Sequence, residues 1–164
     1  MLHFEDGRFF SQGACTFSYR PATEQDTTPR IMIGVQIEDL YTEAAVDTGG
    51  VYLVCDPEIA DLLELDPNSG LGADKLRIRG FEVHGALHRV SLTVLAQEGQ
   101  SLELEVTAFL PRLQPNELWN LPSFMGLLYC LERLRFAVDP GTDVFYFGPL
   151  SLSSPQVSAI TTRE

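Results

Sequence analysis

Basic residues are scarce in this chain: 11 Lys and Arg stand against 23 Asp and Glu, a formal net charge of −12 over 164 residues. A surface of that sign repels phosphate, and no stretch interleaves basic with aromatic residues, so nucleic acid is excluded as a partner. Cysteine is also sparse. Cys15, Cys55 and Cys130 are odd in number, widely spaced and without a C-x-x-C pair, which argues against a disulfide framework and a zinc site and suits a reducing compartment. No apolar run approaches the ~18 residues needed to span a bilayer, and Met1 to Arg8 has neither the charged stretch nor the apolar core of a signal peptide. The expectation is a cytoplasmic protein with no membrane partner, no metal and no cofactor.

What the chain does have is enough apolar residue, 45% of its length, to bury one core, and at 164 residues it should form a single domain. Ala14 to Tyr19 and Arg30 to Ile37 alternate β-branched and aromatic residues with polar ones, so they read as strands around the polar loop Arg20 to Pro29. Leu40 to Val46 reads as a third strand, joined to the second by a tight turn at Glu38-Asp39. Asp56-Pro57-Glu58 is an N-cap followed by proline at the first helical position, and Ile59, Leu62 and Leu63 recur at helical spacing, which predicts a short helix over Pro57 to Leu65.

Three more strands are predicted at Leu76 to Arg79, Glu82 to Ala96 and Ser101 to Leu110, the middle one bent at Gly85, with a turn at Gln97 to Gln100. Trp119, in the proline-bounded connection Pro111 to Pro122, is expected to anchor that loop by packing. Phe124, Leu127, Leu128 and Leu131 fall at i, i+3, i+4, i+7, with Leu134 three further on, and so predict an amphipathic helix over Phe124 to Leu134. Phe136 to Val138 and Val144 to Phe147 read as strands around a turn at Asp139 to Asp143, and the Ser- and Thr-rich tail is expected to be mobile. His84 and His88 fall in a strand, where residues four apart lie about 13 Å from one another, so they are expected to be solvated rather than to share a metal.

The chemistry is concentrated at Asp47-Thr48-Gly49. D-T-G alone is a weak signal, but here the apolar strand Ala44-Ala45-Val46 enters it and the apolar run Val51 to Val54 leaves it, which places a carboxylate at a strand end in apolar surroundings. Downstream, Phe124-Met125-Gly126-Leu127-Leu128 precedes Cys130 to Asp139 and the aromatic strand Phe145-Tyr146-Phe147. In these residues the chain resembles the retropepsin-like aspartic protease family, in its bacterial single-lobe form, over about Arg30 to Gly148. The resemblance implies an all-β fold, a closed or partly open β-barrel with one or two short helices. It divides the chain into an N-terminal strand and loop extension at 1–29, the protease domain at 30–148 and a tail at 149–164.

The same resemblance implies that Asp47 activates a water, that the Thr48 hydroxyl braces two active-site loops against each other, and that Gly49 brings its N–H to the carboxylate. It places Arg79-Gly80-Phe81 at the tip of a substrate-covering flap and Gly126 beneath the active-site loop. Two carboxylates sharing one proton are needed, one as base and the other as polariser of the scissile carbonyl. One chain offers one D-T-G, since Asp26-Thr27-Thr28 lies in a polar loop and lacks the glycine. The implied assembly is therefore a two-fold homodimer acting as an aspartic endopeptidase on peptide or protein. One departure is Gly50, where the family has Ala or Ser, expected to loosen the catalytic loop. A non-catalytic dimeric module that binds a peptide or partner is the alternative, and a small structural β-domain with a coincidental D-T-G is a third reading.

Overall fold

A computed structural model of the chain describes residues 1–151. The strands are β1 (Gly13–Thr16), β2 (Ser18–Pro21), β3 (Pro29–Ile37), β4 (Leu40–Val51), β5 (Leu53–Val54), β6 (Gly72–Ile78), β7 (Phe81–Val94), β8 (Glu98–Gly99), β9 (Leu102–Pro111), β10 (Ser123–Leu128), β11 (Leu134–Asp139) and β12 (Val144–Pro149). One α-helix, α1 (Pro57–Leu62), and a single 3-10 turn at Leu131–Arg133 complete the described elements. The fold is all-β, as expected.

The larger sheet has the order β2-β3-β4-β10-β5-β9-β7-β6, and a further pairing of β3 with β7 closes it into a ring of β3, β4, β10, β5, β9 and β7. Closure pairs both sides of the ring strands and leaves the free edges of the sheet on β2 and β6. β6 stands outside the ring as the outer arm of a long hairpin with β7, running from Gly72↔Leu87 to Ile78↔Phe81. A second sheet, β11-β12-β1-β8, joins the β11–β12 hairpin to β1 and β8, which are remote from it in sequence. Its Cys15, Leu134, Phe145 and Phe147 share one buried cluster with Val35, Leu92, Val106 and Leu110 of the barrel, so one core serves both sheets. Cys15, Cys55 and Cys130 are all buried and unpaired, and burial pushes their thiols up to about 11, 12 and 12.

Local signals hold well where the chain turns. Ile37 pairs with Leu40 across Glu38-Asp39, as the hairpin reading required, and Glu38 takes a left-handed φ of 52°. Asp139 closes the β11–β12 turn by accepting from Gly141 N (2.8 Å) and Thr142 Oγ1 (2.8 Å). Asp56 caps α1 by accepting from Glu58 N (2.9 Å), but the helix stops at Leu62 rather than Leu65 because Glu64 turns left-handed, φ 56°.

The helix predicted over Phe124 to Leu134 is incorrect. Ser123–Leu128 is a strand, and only the 3-10 turn follows it. The reason lies in its neighbours: β10 runs parallel to β4 on one side and antiparallel to β5 on the other, with Ser123, Phe124, Met125 and Gly126 all buried. A strand covered on both faces needs no polar alternation, and a short apolar run of that kind cannot be told from a helix by periodicity. The strand predicted to end at Val46 likewise continues to Val51, because β10 pairs alongside it through Asp47. Pro149, the first residue of the predicted tail, still pairs with Leu134, and residues 152–164 lie outside the described residues.

Candidate active site at the D-T-G strand

β4 and β5 are separated in sequence by Tyr52 alone, yet β10 threads between them. Tyr52 makes this possible. Its left-handed φ of 65° splays the two strands, its N donates to Leu128 O (2.7 Å), and its O accepts from Gly126 N (2.8 Å). Tyr52 stacks with Phe109 and with Tyr129, centroids 6.5 and 5.2 Å apart, and its hydroxyl donates to Asp74 Oδ2 (2.8 Å) at the base of the hairpin. Burial, then the hydrogen bond and charge of Asp74, push the Tyr52 hydroxyl up to about 12, so it remains a donor. Tyr52 did not stand out in the sequence, where it is one residue of an apolar run.

Gly126 pairs directly with Asp47. A Cβ at Gly126 would lie 2.6 Å from Tyr52 O and 2.7 Å from the carbonyl carbons of both Gly50 and Val51, so only glycine lets β10 come this close. Asp47 is half-buried, and Gly49 N donates to its Oδ1 (3.1 Å), the approach foreseen for that glycine. At Gly50 a Cβ would stand 3.0 Å from Asp47 Oδ2 and 3.3 Å from Gly126 Cα. The missing side chain at 50 therefore leaves room for the carboxylate itself. Thr48 is exposed and its hydroxyl has no partner among the described residues. Directly after Gly126, Leu127, Leu128 and Tyr129 are 37, 46 and 46% exposed, an apolar run at and just past the end of the strand beside the D-T-G.

Arg79-Gly80 forms the two-residue loop between Ile78 and Phe81, with φ of 50° and 84°, the signs of a type I′ turn. The hairpin covers a cavity of about 750 Å³ lined by Ile78, Phe81 and Val83 on one wall and by Leu113, Trp119 and Leu121 on the other. Asp47 is not in that lining. Trp119 packs against the second buried cluster, which includes Met32, Phe109 and Phe124, as an anchor should. His84 and His88 bond separately, Nε2 of one to Glu82 Oε1 (3.0 Å) and of the other to Asp66 O (2.8 Å).

Asp26, set aside in the sequence for want of a glycine, is fully buried. Its Oδ2 accepts from Arg30 Nε (2.7 Å), and the Arg79 guanidinium contacts its Oδ1. Burial pushes this carboxyl up, but the hydrogen bond and charge of Arg30 and the charge of Arg79 outweigh it and hold it below the usual carboxylate range. No sequence signal marked it, because it lies in an ordinary polar loop only four residues before Arg30, and Arg79 is reached only through the fold.

No protein-family model and no curated protein matches the chain. Among solved structures it is similar to a retropepsin-like aspartic protease from Rickettsia conorii, with 17% identity over 83% of this chain and 93% of that one and a TM-score of 0.45. At that identity and score the likeness carries no functional weight, which falls instead on the site's own geometry. Among the described residues no helix is long and apolar enough to cross a membrane, and no group of side chains is arranged to hold a metal.

Proposed function

We propose that the chain is an aspartic endopeptidase whose catalytic centre is made by two copies, each contributing Asp47. The observation that carries this is the seating of Asp47: half-buried at the D-T-G, hydrogen-bonded by Gly49 N and backed by the close approach of Gly126. In the dimer one carboxylate takes a proton from water as its oxygen attacks the scissile carbonyl carbon, while the other, protonated, hydrogen-bonds the carbonyl oxygen. Collapse of the tetrahedral adduct breaks the C–N bond as the nitrogen takes up a proton. The Thr48 hydroxyl on β4 and the apolar Leu127, Leu128 and Tyr129 at the end of the adjacent β10 would supply the self-complementary face of an isologous pair. The β6–β7 hairpin, with Arg79, Gly80 and Phe81 at its tip, acts as the flap over an extended peptide.

The test is cleavage of an unstructured protein by the wild type and by Asp47→Asn, beside sedimentation across micromolar concentrations. Cleavage lost in the variant, a bell-shaped pH–rate curve on the acid side of neutrality and a dimer are expected. Cleavage that survives in the variant, or a strict monomer with or without peptide, overturns the proposal. A non-catalytic peptide-binding dimer is the second reading, favoured by the absence of Asp47 from the lining of the apolar cavity; it predicts peptide binding without turnover.

A further inference from the structure

Among the described residues Asp26 is the one charged side chain with no solvent exposure. A buried carboxylate is costly unless paired, and the way this one is paired joins two parts of the molecule that the backbone leaves separate. Arg30, its neighbour on β3, holds Oδ2 at 2.7 Å and lays its guanidinium over the Phe124 ring, 5.0 Å from the centroid, which ties the carboxylate to β10. Arg79 reaches Oδ1 from the tip of the β6–β7 hairpin. The loop bearing Asp26 is anchored in turn by Thr23, whose hydroxyl accepts from Asp26 N (2.9 Å) and donates to Asn120 O (2.8 Å). Asn120 lies in the opposite wall of the cavity, between Trp119 and Leu121. Arg79, Asp26, Thr23 and Asn120 therefore form a strap from the hairpin tip across to that wall.

The turn itself does not account for an arginine at 79. A type I′ turn needs φ > 0 at its first central position, where Asn, Asp or Gly is favoured and a long side chain is strained. The contact with Asp26 does account for it. We infer that Asp26 is a positioning residue that, through Arg79, latches the β6–β7 hairpin to the wall at residues 112–121 and so governs entry to the apolar cavity between them. Its consequence for peptide cleavage rests on reading the hairpin as the flap; the latch itself does not.

Trp119 is the sole tryptophan and lines the cavity, so its fluorescence reports the latch directly. In Arg79→Asn the ion pair is lost while the turn becomes Asn-Gly, its favoured pair, so hairpin formation and latching are separated. Acrylamide quenching of Trp119 should rise at least about two-fold in Arg79→Asn and fall back toward wild type in Arg79→Lys, as expected of a local opening rather than global unfolding. Far-UV circular dichroism identifies a misfolded variant, in which case Thr23→Val, which cuts the strap at its other end, is read in the same way. Wild-type quenching in a folded Arg79→Asn, or a rise that Arg79→Lys does not reverse, overturns the latch. Because the readout needs no turnover, it is independent of the outcome with Asp47→Asn.

Discussion

Replacing Gly126 by alanine adds one methyl group at the most crowded backbone crossing of the site. The new Cβ would sit 2.6 Å from Tyr52 O and 2.7 Å from the carbonyl carbons of Gly50 and Val51, all backbone atoms that cannot rotate away. Gly126 has no left-handed φ, so alanine can adopt its backbone conformation and the cost is one of contact alone. Relief requires β10 to move off β4 and β5, stretching the bond from Gly126 N to Tyr52 O, now 2.8 Å. Overpacking of this kind costs about 3 kcal/mol, the upper end of its usual range, because no neighbour is a flexible side chain. For a domain of this size that lowers Tm by roughly 6–12 °C. Gly34→Ala is the matched control: on β3 a Cβ meets only Leu95 Cδ1 at 3.8 Å, an ordinary contact, so Tm should be unchanged or slightly raised. The assay is thermal unfolding of both variants followed by circular dichroism. If Gly126→Ala melts with Gly34→Ala, the close approach of β10 to the D-T-G strand is wrong. On the proposed mechanism, displacing Asp47 by ~1 Å should also lower cleavage on the order of 100-fold.

Tyr52→Phe removes the donor to Asp74 and leaves the stacked ring in place, so urea unfolding should show a loss of about 1 kcal/mol; an unchanged midpoint would mean the hydroxyl is solvated instead. Acid should also destabilise the protein through Asp26. Its folded carboxyl titrates below the unfolded value of about 3.9, so its stabilisation is complete above that value and is lost as pH falls through the lower, folded one. In a Tm series from pH 7 to pH 2, Asp26→Asn should be less stable at neutral pH and fall less steeply in acid; an identical acid slope in the two proteins would show that the carboxyl is not held down in the fold.

The sequence by itself determined the parts of this protein whose causes are local. Alternating strands, the Glu38-Asp39 and Asp139–Asp143 turns, the Asp56-Pro57 helix start and the glycine at position 80 of the hairpin tip each follow from the conformational preferences of a few adjacent residues. The D-T-G, with Gly126 downstream of it, was also legible, because a strand running into those residues constrains few alternatives. Tertiary structure alone decided the rest. Whether Phe124 to Leu128 is helix or strand depends on β4 and β5 pairing with its two edges while both faces of Phe124 to Gly126 are buried, and an apolar run carries no mark of which edges and faces will be covered. Asp26 looked like one more polar loop residue, since its partner at Arg79 lies far along the chain on another hairpin. The second sheet draws β1, β8, β11 and β12 from both ends and the middle of the sequence, and such pairing is set by which surfaces remain to be buried once the barrel has closed.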